Sequence, residues 1–154
     1  MQTRWCLVVA LLCGCVAARH ETQRPLPTNP EPMLAAAGDT VLAMLGGQRL
    51  YVADSATGRA LALAAHRAGV RLVPAPAQVW CADEAQSGRA VGSVVALQLD
   101  SLWAERAHVR WTATCLMTPR GERVPAAFGE GGVYEVTRHD EGWRVSRALM
   151  HLAF

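Results

Sequence analysis

VGSVVALQLDSLWAERAHVRWTATCLM, from Val91 to Met117, is the stretch that decides the fold. In its first half Val91, Val95, Leu97, Leu99 and Trp103 share one face, and Gly92, Val94, Ala96, Gln98 and Asp100 share the other. In its second half Ala107, Val109, Trp111, Ala113, Cys115 and Met117 point one way, and His108, Arg110, Thr112 and Thr114 the other. Successive side chains of a strand leave opposite faces, so a period of two marks half-buried strands. The polar break Ala104-Glu105-Arg106 is short enough for a hairpin. One dry face and one wet face predict an antiparallel sheet covered on one side.

Working downstream, a second pair runs over Val133 to Arg138 and Trp143 to Met150. His139-Asp140-Glu141-Gly142 lies between them, with Gly last as turn chemistry prefers. Pro119 to Gly132 reads as a long, mobile hairpin connection, because it is rich in Gly and charge.

Upstream, Asn29-Pro30-Glu31 has the form of a helix start. Leu34, Ala37, Val41, Met44 and Leu45 follow at helical spacing and Gly46-Gly47 ends the run, with Gly38 weakening it. Gln48 to Asp54 reads as a short strand, Thr57 to Ala68 as a second helix stopped by Gly69, and Val70 to Val73 as one more short strand. The fold class is therefore α+β. N-terminal helices pack on one face of a curved antiparallel meander of four strands, or slightly more.

Helix first and a bent sheet last, closing on Tyr134-Glu135-Val136 and then Gly142-Trp143-Arg144-Val145, is similar to the cone-shaped nuclear transport factor two superfamily. The similarity covers about the last sixty residues, its motifs are generic, and a third helix is missing. It implies a pocket between the helices and the sheet, suited to a small enzyme or ligand carrier.

The first eighteen residues have the form of a secretory signal. Arg4 supplies a positive start, and Trp5 to Leu12 is an apolar run too short to span a bilayer. Leu12-Cys13-Gly14-Cys15 then resembles the bacterial lipobox, with Leu12, Gly14 and Cys15 at its expected positions and Cys13 atypical. The resemblance implies cleavage before Cys15 and acylation of Cys15, hence a partner in the membrane. Val at position 16, not Asp, implies sorting to the outer membrane where the host has one. Val16-Ala17-Ala18 also fits ordinary signal cleavage, which would release a secreted protein. An uncleaved apolar N-terminus is the third reading. Residues 1–18 are thus a signal, 19–32 a tether stiffened by Pro25, Pro27, Pro30 and Pro32, and 33–154 one globular domain.

Removal of the signal leaves about 140 residues, enough for a single core. Charge is nearly balanced and all 15 basic residues are Arg, scattered along the chain. With no basic cluster and few aromatics to stack bases, nucleic acid is not an expected partner. Cys6, Cys13 and Cys15 belong to the signal region, which leaves Cys81 and Cys115 in the body. Two cysteines in an oxidising compartment suit one disulfide, worth roughly 3–4 kcal/mol for a loop of this length. Two buried free thiols are the alternative. A metal site is not expected, since no His accompanies the pair.

The chain holds no phosphate-cradling Gly loop and no nucleophile elbow, and nothing in it calls for a cofactor. Asp54-Ser55 with His66 can be written as a hydrolase trio, but Asp54-Ser55 is more simply a turn or helix cap. His108 and Arg110 share a polar face, with Asp100 or Gln98 opposite, and are the candidates for a pocket. There His108 could act as an acid or base, or simply be a solvated cross-strand pair. His139 belongs to a turn, and His151 to the surface without a partner. Trp103, Trp111 and Trp143 are expected in the core. Two classes of function remain: an envelope-anchored, non-catalytic domain that binds an unidentified protein or small molecule or supports the envelope, and the small enzyme or carrier that the superfamily resemblance implies.

Overall fold

A computed structural model describes residues 21–46, 49–82, 88–120 and 122–154. Two helices and six strands follow in the order α1 (Glu31–Leu45), β1 (Arg49–Val52), α2 (Ser55–Ala68), β2 (Arg71–Pro74), β3 (Val94–Leu102), β4 (Arg106–Met117), β5 (Ala126–His139) and β6 (Gly142–Ala153). The architecture is α+β, as expected. The sheet, however, has six strands and is mixed, in the order β2-β1-β3-β4-β5-β6. The two short strands belong to it. α2 connects β1 to β2, and a helical crossover returns the chain parallel to its start. β1 accordingly pairs parallel with β2 on one side and with Val94 and Val95 of β3 on the other. β3 to β6 form the expected antiparallel meander.

α1 begins behind Pro30, where Asn29 Oδ1 accepts from the Glu31 amide at 3.2 Å. α2 is capped by Asp54, whose carboxylate accepts from Thr57 N at 2.7 Å, and it ends at Gly69 in the left-handed conformation. Gly38 faces α2 closely, since a methyl group there would meet Leu61 Cδ2 at 2.6 Å. Both helices lie on one face of the sheet. Met33, Leu34, Ala37, Val41, Leu42, Ala60 and Leu61 pack against Val95, Leu97, Leu99, Val109, Trp111 and Val136 in a single cluster. Thr57, fully buried, donates to Asp54 and accepts from Leu97 N at 3.1 Å, fastening the start of α2 to the middle of the sheet.

Three boundaries depart from expectation. The strand begins at Val94, and Val91 forms only an isolated bridge with Trp80. The long connection shortens, because β5 already starts at Ala126 and carries Gly129, Gly131 and Gly132 inside it. These glycines are strand residues because their neighbours leave no space. A Cβ on Gly129 would approach Ala113 O to 2.1 Å, and one on Gly132 would approach Met150 O to 2.3 Å. Finally, the described part of the proline-stiffened segment docks on the sheet, where Arg24 N donates to Leu102 O at 2.7 Å. β1 reaches only as far as Val95 along β3, so the rest of that edge is open to a cap.

Cys81 and Cys115 form a disulfide, with Cα atoms 5.0 Å apart. The backbone brings them together, because Val79 O accepts from Leu116 N and Cys81 N donates to Leu116 O, at 2.8 and 2.9 Å. No helix among the described residues is long and apolar enough to cross a membrane.

Candidate functional site

The alternation of β4 places His108 and Arg110 on the sheet face turned away from the helices, as expected, but the two find different partners. A register shift in β3 between Leu99 and Ser101 sets Ser101, not Gln98 or Asp100, opposite His108. Arg110 stands opposite Gln98 and pairs with Asp100 Oδ2 at 2.9 Å, its side chain largely exposed. His108 faces Glu135 of β5, with Nε2 3.6 Å from Oε2.

The same bulge reverses Trp103. One extra residue moves everything after it to the other face. Leu102 therefore turns to the core opposite Ala107, and Trp103 joins His108, their rings 4.7 Å apart edge to face. Trp103 is thus not a core residue, while Trp111 is fully buried and Trp143 packs against the cluster. The Arg106 guanidinium lies 4.7 Å over the Trp103 ring.

Glu135 is the centre of this cluster and the residue that sequence reading passed over. Its side chain is 9% exposed, yet two guanidinium groups and the His108 imidazole surround it. Arg147 grips it as a fork, with Nε 3.1 Å from Oε1 and Nη2 3.2 Å from Oε2. Ser146 Oγ donates to Oε1 at 3.2 Å, and Arg106 Nη1 is 3.8 Å from Oε2. Burial alone would raise the carboxyl. The Arg147 hydrogen bond and charge, helped by Ser146 and His108, outweigh it and hold the group below its ordinary value. A carboxylate so occupied is a poor proton acceptor, and the cluster is chemically a fixed ion network. A signal for it did exist: Glu135 is the wet-face residue of Tyr134-Glu135-Val136, and a hairpin register sets it beside His108.

The remaining candidates are dispersed. Asp54 caps α2, Ser55 opens it and His66 lies in its last turn, so the hydrolase trio is not assembled. His139 is the last residue of β5, not a turn residue, and its Nε2 meets Thr137 Oγ1 at 3.1 Å. His151 does have partners: Glu130 Oε2 at 3.0 Å, and the Trp111 ring at 5.6 Å. Glu130, after burial, also helps push the Tyr134 hydroxyl upward. Among the described residues no cluster of His, Cys, Asp and Glu suits a metal ion. A polar cavity of about 470 Å³ opens between the two turns, lined by Glu105, Arg138, His139, Asp140 and Trp143. An apolar one of about 370 Å³ lies by the disulfide, lined by Pro76, Val79, Val94, Cys115 and Leu116. Along β6, at the edge of the sheet, and just past its end, Leu149, Met150, Leu152 and Phe154 are exposed. Cys15 and the lipobox-like segment lie outside the described residues.

No family model matches the chain, and comparison with curated proteins and with solved structures also gives no match.

Proposed function

We propose that the chain is an exported protein, anchored in the cell envelope through an acylated Cys15, whose body is a non-catalytic domain that binds a partner or supports the envelope. One observation carries the non-catalytic half: the space between helices and sheet is filled. Trp111, Leu61, Val41, Val95, Val109 and Val136 are fully buried there, where a small enzyme or carrier would need a chamber with polar groups turned inward. His108 lies on the opposite face, against a carboxylate already engaged by Arg147. The apolar row on β6 supports binding, since an exposed strand edge offers both backbone groups and side chains to a partner. The Cys81–Cys115 disulfide supports export, because such bonds persist in oxidising compartments. Anchoring itself rests on the resemblance of Leu12-Cys13-Gly14-Cys15 to the lipobox. Several acyl chains on one cysteine would make it effectively stable.

Intact-mass analysis of protein extracted from membranes tests this reading. The expected species starts at Cys15, carries diacylglyceryl and acyl groups, and lacks the thiol hydrogens of Cys81 and Cys115. A species starting at Arg19 without lipid would replace the anchor by secretion. An unprocessed chain would remove both.

A further inference from the structure

We infer that residues Glu21 to Arg24 form a strap that holds the domain with its β3–β4 and β5–β6 turns toward the lipid surface. The inference rests on the acylation of Cys15 proposed above. Three contacts make the strap. Glu21 Oε1 accepts from Ala104 N at 3.1 Å, Glu21 Oε2 lies 3.0 Å from Arg106 Nε, and Arg24 N donates to Leu102 O at 2.7 Å. All three fall on the β3–β4 turn. The β5–β6 turn lies at the same end, because Arg138 N donates to Glu105 O at 2.8 Å.

Chain length then limits how far this end can stand from the membrane. Cys15 is six residues before Glu21, and a fully extended chain of that length spans at most about 20 Å. β4 alone has twelve residues and runs about 40 Å from this end to the other. With the strap docked, the near turns are held within about 20 Å of the membrane that holds Cys15, and among the described residues the far end of the sheet has no such tie. The tether therefore holds this end of the domain close to the lipid. Charge does not supply the orientation: Arg106, Arg138 and Arg144 around the turns are matched by Glu105, Asp140 and Glu141. The strap also meets the edge of β3 at Leu102, and Pro25 and Pro27 offer no N–H to extend that pairing.

The test uses acylated full-length protein in phosphatidylcholine vesicles that carry an acceptor dye on the lipid headgroup. A donor is attached either at Asp140→Cys, in the near turn, or at Arg123→Cys, in the far connection; both positions are exposed. Energy transfer is expected to be several-fold greater from position 140 than from 123. Adding Glu21→Gln with Arg24→Pro, which removes the charge and the amide donor, is expected to erase most of that difference. Equal transfer from both positions in protein that floats with the vesicles overturns the inference and leaves the anchor standing. A bias that survives the double substitution overturns the strap as its cause. Protein that carries no acyl group and does not float overturns the anchor, and the inference with it.

Discussion

Gly38 is a helix residue that spacing alone makes a weak point, and packing makes it a requirement. A methyl group there would sit 2.6 Å from Leu61 Cδ2, with Leu97 Cδ1 at 3.4 Å behind, and Leu61 is itself fully buried. Gly38→Ala gains about 1 kcal/mol of helix propensity and meets an overpacking cost of about 1–3 kcal/mol. A net loss of about 1 kcal/mol in urea unfolding is expected, and a more stable variant would show that the helices separate freely. Glu135 makes the second residue-scale prediction. Its carboxyl is held below the ordinary value, so the stability it contributes is complete above the normal carboxylate range. That contribution is lost as pH falls through the lowered folded value. Glu135→Gln should cost roughly 1–3 kcal/mol at neutral pH, discounted toward the low end because Arg147 is largely exposed. The gap between variant and wild type should close in acid. A gap of equal size at both ends of the pH range would mean that the ion network contributes nothing.

At the scale of elements, alternation is legible until something interrupts it. The dry residues of β3 and β4 are buried as the period of two requires, from Val95 to Leu99 and from Ala107 to Ala113. The bulge near Asp100 has no sequence mark, since Gln98-Leu99-Asp100-Ser101 alternates without a break, and one unpaired residue was enough to turn Trp103 outward. The first half of β5 failed to show for the opposite reason. Gly129, Gly131 and Gly132 look like a loop because Gly is rare in strands, yet only Gly fits where Ala113 O and Met150 O approach so closely. The disulfide belongs to this scale too, joining the segment before β3 to the end of β4 across a separation of 34 residues. Its reduction is expected to cost about 3–4 kcal/mol in the chain-entropy account. Denatured, unreduced mature protein should yield no titratable thiol. Two reactive thiols would place the chain in a reducing compartment and remove the argument for export.

For the molecule as a whole, one cluster contains residues of both helices and of β1, β3, β4 and β5, with Trp143 and Val145 of β6 against it. A single core shared by every layer should unfold as a single unit. Helix loss in the far-ultraviolet and the Trp111 signal in the near-ultraviolet are expected to coincide along a denaturant curve. Separate transitions would mean that the helices can leave while the sheet persists. The chain by itself determined the element order, the helix ends and most of the buried faces, and it left Cys81 and Cys115 as the one pair the body could bridge. All of these depend on neighbours in sequence, on periodicity or on a count of two. Only the tertiary structure decided that the sheet has six strands, that Glu135 gathers Arg106, His108 and Arg147, and that the proline segment is docked at Leu102 and Ala104. Those features join residues distant along the chain, and the register shifts and open edges that bring them together leave no periodic trace in the order of residues.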